Sequence, residues 1–259
     1  MRRVAVKIAY LGEDFAGSQI QPGMRTVEGD VMSDLKRIGN LDDEIVNLKC
    51  ASRTDRGVNA LGNVVVFNTS FDDDAVLLKA LNAVSKGVFY LSIADVNEEF
   101  NPRHANERVY RYMLPAEGLD AKTVRRCASL FEGTHDLVRF CKPDGRSTEI
   151  DMRSVKVRRS GDVFAIEFRA EYFLWNLIRR IVAAIASVGR GDSAMDEVKR
   201  ALNGEEISFG IARADALTLV DVIYNDIEFN VPAASDAIAL RAKDELFRLA
   251  LKRTFFGSL

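Results

Sequence analysis

The sequence has few of the residues from which disulfide frameworks and metal sites are built. It contains three cysteines, Cys50, Cys127 and Cys141, an odd number that forms no Cys-x-x-Cys pair. Neither a set of disulfide bonds nor a zinc ribbon is therefore indicated, and we expect the three thiols to be buried as small hydrophobes. The two histidines, His104 and His135, are far in sequence from any cysteine or carboxylate cluster, which predicts that there is no metal site.

Long apolar segments are also absent from the sequence. No run approaches the roughly 20 residues that a membrane-spanning helix needs, and the first seven residues lead into a predicted strand without a signal-peptide core. With 259 residues, 47% of them hydrophobic and 29% charged, the composition is typical of a globular protein of one large or two smaller domains. The expected location is the cytoplasm.

The charges are unevenly distributed along the chain, although the net charge is only −2. Residues 1–100 carry 11 Lys and Arg against 15 Asp and Glu, whereas residues 101–190 carry 17 against 11. A basic central part can supply the phosphate contacts on which nucleic-acid affinity mostly depends, whereas a solvated surface is the commoner role of such charges. The basic residues concerned are Arg103, Arg108, Arg111, Lys122, Arg125, Arg126, Arg153, Lys156, Arg158 and Arg159.

A short segment around Asp55 gives the strongest chemical signal. Asp55 lies between Arg53 and Arg56, in a predicted loop that is followed by the apolar run 63–67. Contact with either guanidinium group would keep the carboxylate ionised to low pH, as an acceptor or a nucleophile requires. Gly57 would allow a tight turn or the close approach of a ligand. These residues alone are equally compatible with an aspartate that caps a turn and pairs with arginine.

The predicted elements follow the order βαββαβ twice, with one additional helix in the second half. Two such ferredoxin-like units in tandem would form a mostly antiparallel sheet with a central active-site cleft, which makes the fold class α+β. We expect an N-terminal subdomain over residues 1–102 that carries the Asp55 loop, a C-terminal subdomain over 103–230, and a C-terminal helix and tail over 231–259. In the first half the predicted strands are 3–10, 44–51, 63–68 and 88–96, and the predicted helices are 26–37 and 74–84. In the second half the predicted strands are 108–114, 154–159, 163–172 and 217–227, and the predicted helices are 121–131, 176–188 and 194–202. A last helix is predicted over 235–252.

Five ordered segments resemble the motifs of the TruA family of tRNA pseudouridine synthases. The first resemblance is that of the RTDxGV pattern at 53–58 to the signature of the family. A single short motif would be weak support, but five in the family's order over most of the chain are specific. The other segments are GSQIQ at 17–21 with RTVEG at 25–29, FNPR at 100–103 with RVYRY at 108–112, FLWNLIRRIV at 173–182, and ALTLV at 216–220.

The resemblance implies the pseudouridine synthase fold and a role for each of three residues. Asp55 would be the catalytic nucleophile, Tyr110 the tyrosine that stacks on the target base and relays a proton, and Arg179 the cation that pairs with Asp55. Arg179 lies on a predicted apolar helix, where an unpaired charge would be costly, although the residues alone also allow it to snorkel to solvent. The residues leave open whether the carboxylate attacks uracil C6 or ribose C1′, or assists elimination at the ribose.

The resemblance also implies the substrate and the partners. The expected substrate is uridine at positions 38 to 40 in the anticodon arm of tRNA, the reaction needs no cofactor and no metal, and the protein is expected to be a homodimer. The basic side chains predicted to contact RNA are Arg53, Arg56, Arg103, Arg108, Lys122 and Arg125.

Several positions depart from the pattern of bacterial members of the family. These positions resemble archaeal or eukaryotic members more closely, and they put substrate contacts in doubt, but not the reaction type. They are Ser18, Arg56, Asn59 and Asn101.

Two alternatives from other functional classes remain. A non-catalytic RNA-binding protein could be built from two ferredoxin-like units, but we find no RNP-like string of aromatic residues. A hydrolase with a carboxylate nucleophile would need a second carboxylic acid of raised pKa near Asp55, and the sequence offers no obvious one.

Overall fold

The computed structural model describes residues 1–40 and 46–231, together with residues 238, 242–243, 246–247, 249–252 and 255 of the C-terminal segment. Along the described residues the strands and helices follow the predicted order, with one additional short strand in the second half. The strands are β1 (Arg2–Tyr10), β2 (Lys49–Cys50), β3 (Asn59–Thr69), β4 (Val88–Val96), β5 (Glu107–Pro115), β6 (Gly133–Asp136), β7 (Glu149–Ser160), β8 (Val163–Ala170) and β9 (Leu217–Ile223). The helices are α1 (Val27–Arg37), α2 (Asp74–Val84), α3 (Ala121–Ser129), α4 (Leu177–Arg190) and α5 (Met195–Leu202).

All of these strands belong to one sheet. Its order is β4-β1-β3-β9-β5-β8-β7-β6, with β2 also paired to β3. Every pair is antiparallel except β3 with β9, which is parallel and joins the two halves of the chain. The orders β4-β1-β3-β2 and β9-β5-β8-β7 give each half the same arrangement, as expected for two ferredoxin-like units. The predicted α+β class and the mostly antiparallel sheet are confirmed.

The junction between the halves leaves no room for a side chain at Gly62 of β3. Asn59 and Ala60 are in register with Thr218 and Leu219 of β9. A Cβ atom at Gly62 would lie 2.7 Å from the carbonyl oxygen of Val220. Glycine at this position therefore permits the backbones of the two halves to approach each other closely.

The strand prediction fails at two places, where the side-chain pattern and the strand pairing disagree. The strand predicted at 44–51 is reduced to Lys49–Cys50, and residues 41–45 lie outside the described part of the chain. Asn47 has a left-handed backbone with φ of 47°, which interrupts an extended run. Strand β6 was not predicted, because Gly133–Asp136 is largely exposed at the sheet edge and has no apolar alternation.

The C-terminal helix predicted at 235–252 is described only in part. Residues 238, 242–243, 246–247 and 249–252 are helical, and the other positions of this prediction lie outside the described residues. No helix in the described part of the chain is long and apolar enough to cross a membrane.

The core follows from the position of each strand in the sheet. Residues 4–6 of β1 and 64–67 of β3 are fully buried, and since consecutive side chains point to opposite faces of a sheet, both faces are covered there. On β8, Phe164, Ile166 and Phe168 are buried at alternate positions, and α3 and α4 pack against each other in the same half. The three cysteines are buried and free, as predicted.

Candidate active site

The three residues predicted to carry chemistry lie in one cleft. It has a volume of about 1030 Å³ and is lined mainly by three segments, 51–58 before β3, 103–110 at the start of β5, and 171–179 at the start of α4. Asp55, Tyr110 and Arg179 each belong to one of these segments. Both halves of the sheet therefore contribute to the cleft, at the point where β3, β9 and β5 are neighbours.

Buried polar groups fix the backbone of the Asp55 loop on one side. The Thr54 amide donates to the Ser18 hydroxyl at 2.9 Å, and the Ser18 amide donates to the Thr54 carbonyl at 3.0 Å. The hydroxyl groups of Thr54 and Tyr10 are 2.8 Å apart. Ser18, which departs from the bacterial pattern, is fully buried and supports the loop through these bonds.

Asn63 fixes the loop on the other side, and sequence reasoning missed this residue. It is fully buried at the position where the apolar run of β3 begins. Its amide nitrogen donates to the Ser52 carbonyl at 2.9 Å and to the Tyr10 hydroxyl at 3.1 Å. Its side-chain oxygen accepts from the Ser52 amide at 3.2 Å. A polar residue in front of four buried apolar residues was the available signal, because such a side chain requires partners.

Two glycines allow the segment after Asp55 to pack closely. Gly57 has φ of +84°, and a Cβ atom on Gly12 would lie only 2.3 Å from the carbonyl carbon of Gly57. The Asn59 side chain accepts from the Gly12 amide at 2.8 Å and donates to the Asp215 carbonyl, also at 2.8 Å. Asn59, which also departs from the bacterial pattern, therefore links three backbone segments behind the cleft.

Arg179 faces Asp55 across the cleft. Its Nη1 atom lies 3.7 Å from Oδ2 of Asp55, and the side chains are 18% and 37% exposed. The guanidinium group is held by two further bonds, from Nε to the Ala212 carbonyl at 2.8 Å and from Nη1 to the Asn176 side chain at 3.3 Å. Asn176 is the N-cap of α4 and has a left-handed backbone with φ of 64°, so the chain turns sharply just before the first helical turn, which carries Arg179.

The electrostatics of Asp55 differ from the expectation based on sequence neighbours. Arg53 and Arg56 are exposed, and among the described residues the ion pair of Asp55 is with Arg179. Burial raises the pKa of the carboxyl group above its usual value, while Arg179 and a hydrogen bond from Trp175 act against this rise. The expectation of a low pKa depended on contact with Arg53 or Arg56, whereas the ion pair is with Arg179, and it did not include the loss of hydration.

Tyr110 forms the wall of the cleft on β5. Its side chain is buried and meets the Phe173 ring edge to face, with centroids 5.0 Å apart and planes at 77°. Burial raises the pKa of its phenol to about 12, although the nearby Arg108 opposes the rise. The phenol is therefore protonated at neutral pH. Arg111 lies on the opposite face of the strand and pairs with Glu167 at 3.0 Å.

Arg108 lies in a buried position, although the sequence predicts that it contacts RNA. Its guanidinium group donates to the Ser52 hydroxyl at 2.9 Å and to the carbonyls of Ala51, Arg103 and Glu171. These acceptors use four of the five N–H groups of the guanidinium group and fix the start of the Asp55 loop. Arg108 also lines the cleft, and its contact with RNA stays a prediction.

The other predicted RNA contacts fall into two groups. Arg53, Arg56 and Arg103 are exposed and line the cleft. Lys122 and Arg125 are exposed on α3, outside the lining of the cleft.

Comparison with known proteins gives consistent matches. Residues 127–225 match a family model described as tRNA pseudouridine synthase. The chain is similar to tRNA pseudouridine synthase A of Pyrococcus abyssi, with 41% identity over 95% of this chain and 94% of the relative. It is also similar to the proteins of the same description from Pyrococcus horikoshii, with 42% identity over 98% and 97%, and Methanosarcina mazei, with 36% over 86% and 85%. A solved Cbf5-Nop10-Gar1 complex contains a chain with a TM-score of only 0.36 and 14% identity, covering 71% of this chain and 45% of that one. The assignment does not depend on that likeness.

Proposed function

Since the chain belongs to the TruA family of tRNA pseudouridine synthases, we propose that it isomerises uridines 38 to 40 of the tRNA anticodon arm, with Asp55 as the nucleophile. Enzymes of this family are isomerases. The reaction breaks the bond between uracil N1 and ribose C1′ and forms a bond between C5 and C1′, while C5 loses a proton and N1 gains one. The observation that carries the proposal is the Asp55–Arg179 ion pair in a cleft that also contains Tyr110.

Asp55 would form a covalent adduct that holds the substrate between bond cleavage and bond formation, as carboxylates do in other glycosyl transfers. This role requires the ionised carboxylate. Arg179 favours that form and, through its bonds to Ala212 and Asn176, fixes the position of the charge.

Tyr110 would stack on the target base and relay the proton from C5. Its edge-to-face contact with Phe173 fixes the ring, and its place in the cleft wall supports contact with the base. Because the phenol is protonated at neutral pH, it would release its own proton as it accepts the one from C5, so that C5 loses one proton, N1 gains one and the phenol ends unchanged. Tyr112, two residues along on the same face, would remain a core residue.

The tRNA backbone would lie along the exposed basic groups. Arg53, Arg56 and Arg103 would hold phosphates at the cleft, and Lys122 with Arg125 would hold phosphates farther from the target base.

We also propose that residues 1–102 and 103–230 act as two subdomains on either side of the cleft. The proposed tRNA substrate also favours the cytoplasm as the place of action.

We further propose that the protein acts as a homodimer, because an anticodon arm is larger than the cleft of one chain. The described helical residues of the C-terminal segment support this proposal. Several large apolar side chains there are more than half exposed, namely Leu246, Phe247, Leu249 and Leu251. An apolar surface of this kind is typical of an interface between copies.

The substrate assignment can be tested by mapping pseudouridine in an unmodified tRNA transcript. After incubation with the protein, carbodiimide adducts on pseudouridine should stop reverse transcription next to positions 38 to 40. A matched transcript with cytidine at these positions should give no stop there. Pseudouridine formed only elsewhere in the tRNA would overturn the assignment of the site, and no pseudouridine at all would overturn the proposed function. A non-catalytic RNA-binding protein or a hydrolase would form none.

A further inference from the structure

Trp175 is an exposed aromatic residue beside the proposed nucleophile, and it is the single tryptophan of the chain. It lies between the end of β8 and the start of α4, and it is 48% exposed although the residues on both sides of this segment belong to the core. Leu174 before it and Leu177 after it are buried. A large apolar side chain left open in a cleft, between buried neighbours, indicates a contact surface.

The position of Trp175 is fixed by neighbours on two sides. Its carbonyl accepts from the Lys142 amide at 2.9 Å, and the Lys142 ammonium group lies 4.2 Å from the centre of the indole ring. The next residue, Asn176, has the left-handed backbone that turns the chain into α4. The indole is therefore held by a backbone bridge, a cation and a sharp turn, and little conformational entropy would be lost on binding a ligand.

The indole also contacts the site itself. The Trp175 side chain is one of the groups that act to lower the pKa of Asp55, and Phe173, two residues earlier, packs on Tyr110. One short segment thus touches both the carboxylate and the tyrosine of the proposed mechanism. A ligand of Trp175 would lie next to the reacting uridine.

Unpaired bases in RNA are recognised by stacking on exposed aromatic rings, and indole offers the largest such surface. We propose that Trp175, backed by Lys142, stacks on an unpaired base of the tRNA substrate next to the isomerised uridine, while its indole N–H orients the Asp55 carboxylate. This inference rests on the proposed function and adds a residue that selects and positions the substrate.

The first test uses Trp175 as its own reporter. Because the chain contains one tryptophan, the tryptophan emission, excited at a wavelength that tyrosine does not absorb, comes from this position alone. Binding of an unmodified tRNA anticodon stem-loop should quench the emission and protect the indole from acrylamide. An indole that stays as accessible to acrylamide in the complex as in the free protein would overturn the stacking.

The second test separates the ring surface from the N–H group with two matched variants. Trp175→Phe keeps an aromatic face, so its affinity for the stem-loop should remain within about threefold of the wild type, whereas Trp175→Leu keeps bulk but cannot stack and should bind roughly ten- to a hundredfold more weakly. Equal affinities of the leucine variant and the wild type would contradict stacking. Circular dichroism and thermal unfolding verify that both variants are folded.

The N–H group has a readout of its own. Both variants remove the hydrogen bond that helps to lower the pKa of Asp55, so the acid limb of the single-turnover rate should move to higher pH in both. A profile identical to that of the wild type would overturn the positioning role. If the wild type isomerises tRNA normally while these tests fail, the inference is wrong and the proposed function stands. If the wild type forms no pseudouridine, the proposed function is wrong.

Discussion

Asp55 combines two opposing influences, since burial removes hydration from its carboxylate and Arg179 supplies a charge that partly replaces it. The raised pKa places the acid limb of the reaction above the range of an ordinary aspartate, because the ionised fraction is lost as the pH falls through that pKa. Removing the cation should raise the pKa further. We therefore expect Arg179→Gln to shift the acid limb of the single-turnover rate to higher pH, in addition to lowering the rate.

The neighbouring arginine provides the control for this prediction. Arg180→Gln removes the same charge one position along the helix, at a residue that does not line the cleft. Its pH profile should match that of the wild type. If the two variants gave the same profile, the Asp55–Arg179 pair would have no part in setting the ionisation of the carboxylate.

Tyr110 can be tested by removing only its hydroxyl group. Tyr110→Phe keeps the ring and its contact with Phe173, so tRNA affinity should change little. Loss of the proton relay should lower the single-turnover rate about a hundredfold or more. Tyr112→Phe, on the same face of β5, is the matched control and should react normally. A larger loss of rate in the Tyr112 variant than in the Tyr110 variant would show that the chemistry had been assigned to the wrong tyrosine.

Helix α3 is proposed to hold tRNA phosphates away from the target base, because Lys122 and Arg125 are both exposed on it and lie outside the cleft. Lys122→Ala combined with Arg125→Ala should weaken tRNA binding and reduce the slope of log affinity against log salt by roughly one unit or less per lost contact. The single-turnover rate at saturating enzyme should stay at the wild-type value, because these groups bind ground and transition states equally. An unchanged slope would show that this part of α3 is a solvated surface.

Sequence patterns predicted those elements in which local and tertiary preferences agree. The observed bounds of α2, Asp74–Val84, and β4, Val88–Val96, equal the predicted ones, and the N-cap of α2 at Asp73 accepts the Val76 amide at 2.9 Å. Strand β6 and the shortened β2 could not be predicted, because they depend on pairing and on a left-handed residue and not on side-chain period.

The sequence named three residues of the candidate site, but it did not reveal their physical state. The resemblance identified Asp55, Tyr110 and Arg179, and the structure brings them into one cleft. Neither the raised pKa of Asp55 nor the burial of Arg108 could be read from neighbouring residues, because both depend on contacts between distant segments. Asn63 was missed for the same reason, since its partners lie in other elements.

At the scale of the whole molecule, the parallel pairing of β3 with β9 joins the two halves, both of which contribute residues to the cleft. The proposed dimer would complete the tRNA-binding surface. Light scattering at micromolar concentration should give twice the mass of one chain. Leu246→Glu combined with Leu249→Glu should give single chains, because it places charges on the apolar surface of the C-terminal segment.

A control for the dimer is Leu61→Glu, which alters a leucine on β3 that is also more than half exposed. This variant should keep the mass of the wild type. A wild-type protein with the mass of a single chain would contradict the dimer.

The central claim is that Asp55 is the nucleophile of a uridine isomerisation. Its most direct test is the release of tritium from unmodified tRNA labelled at uridine C5, measured in a single turnover with the wild type and with Asp55→Asn. The exchange is nearly isosteric, and tRNA affinity should be kept. We expect the wild type to release tritium and the asparagine variant to release none above background, because an amide is not a nucleophile of comparable strength. Tritium release by the variant at a rate near that of the wild type would contradict the claim.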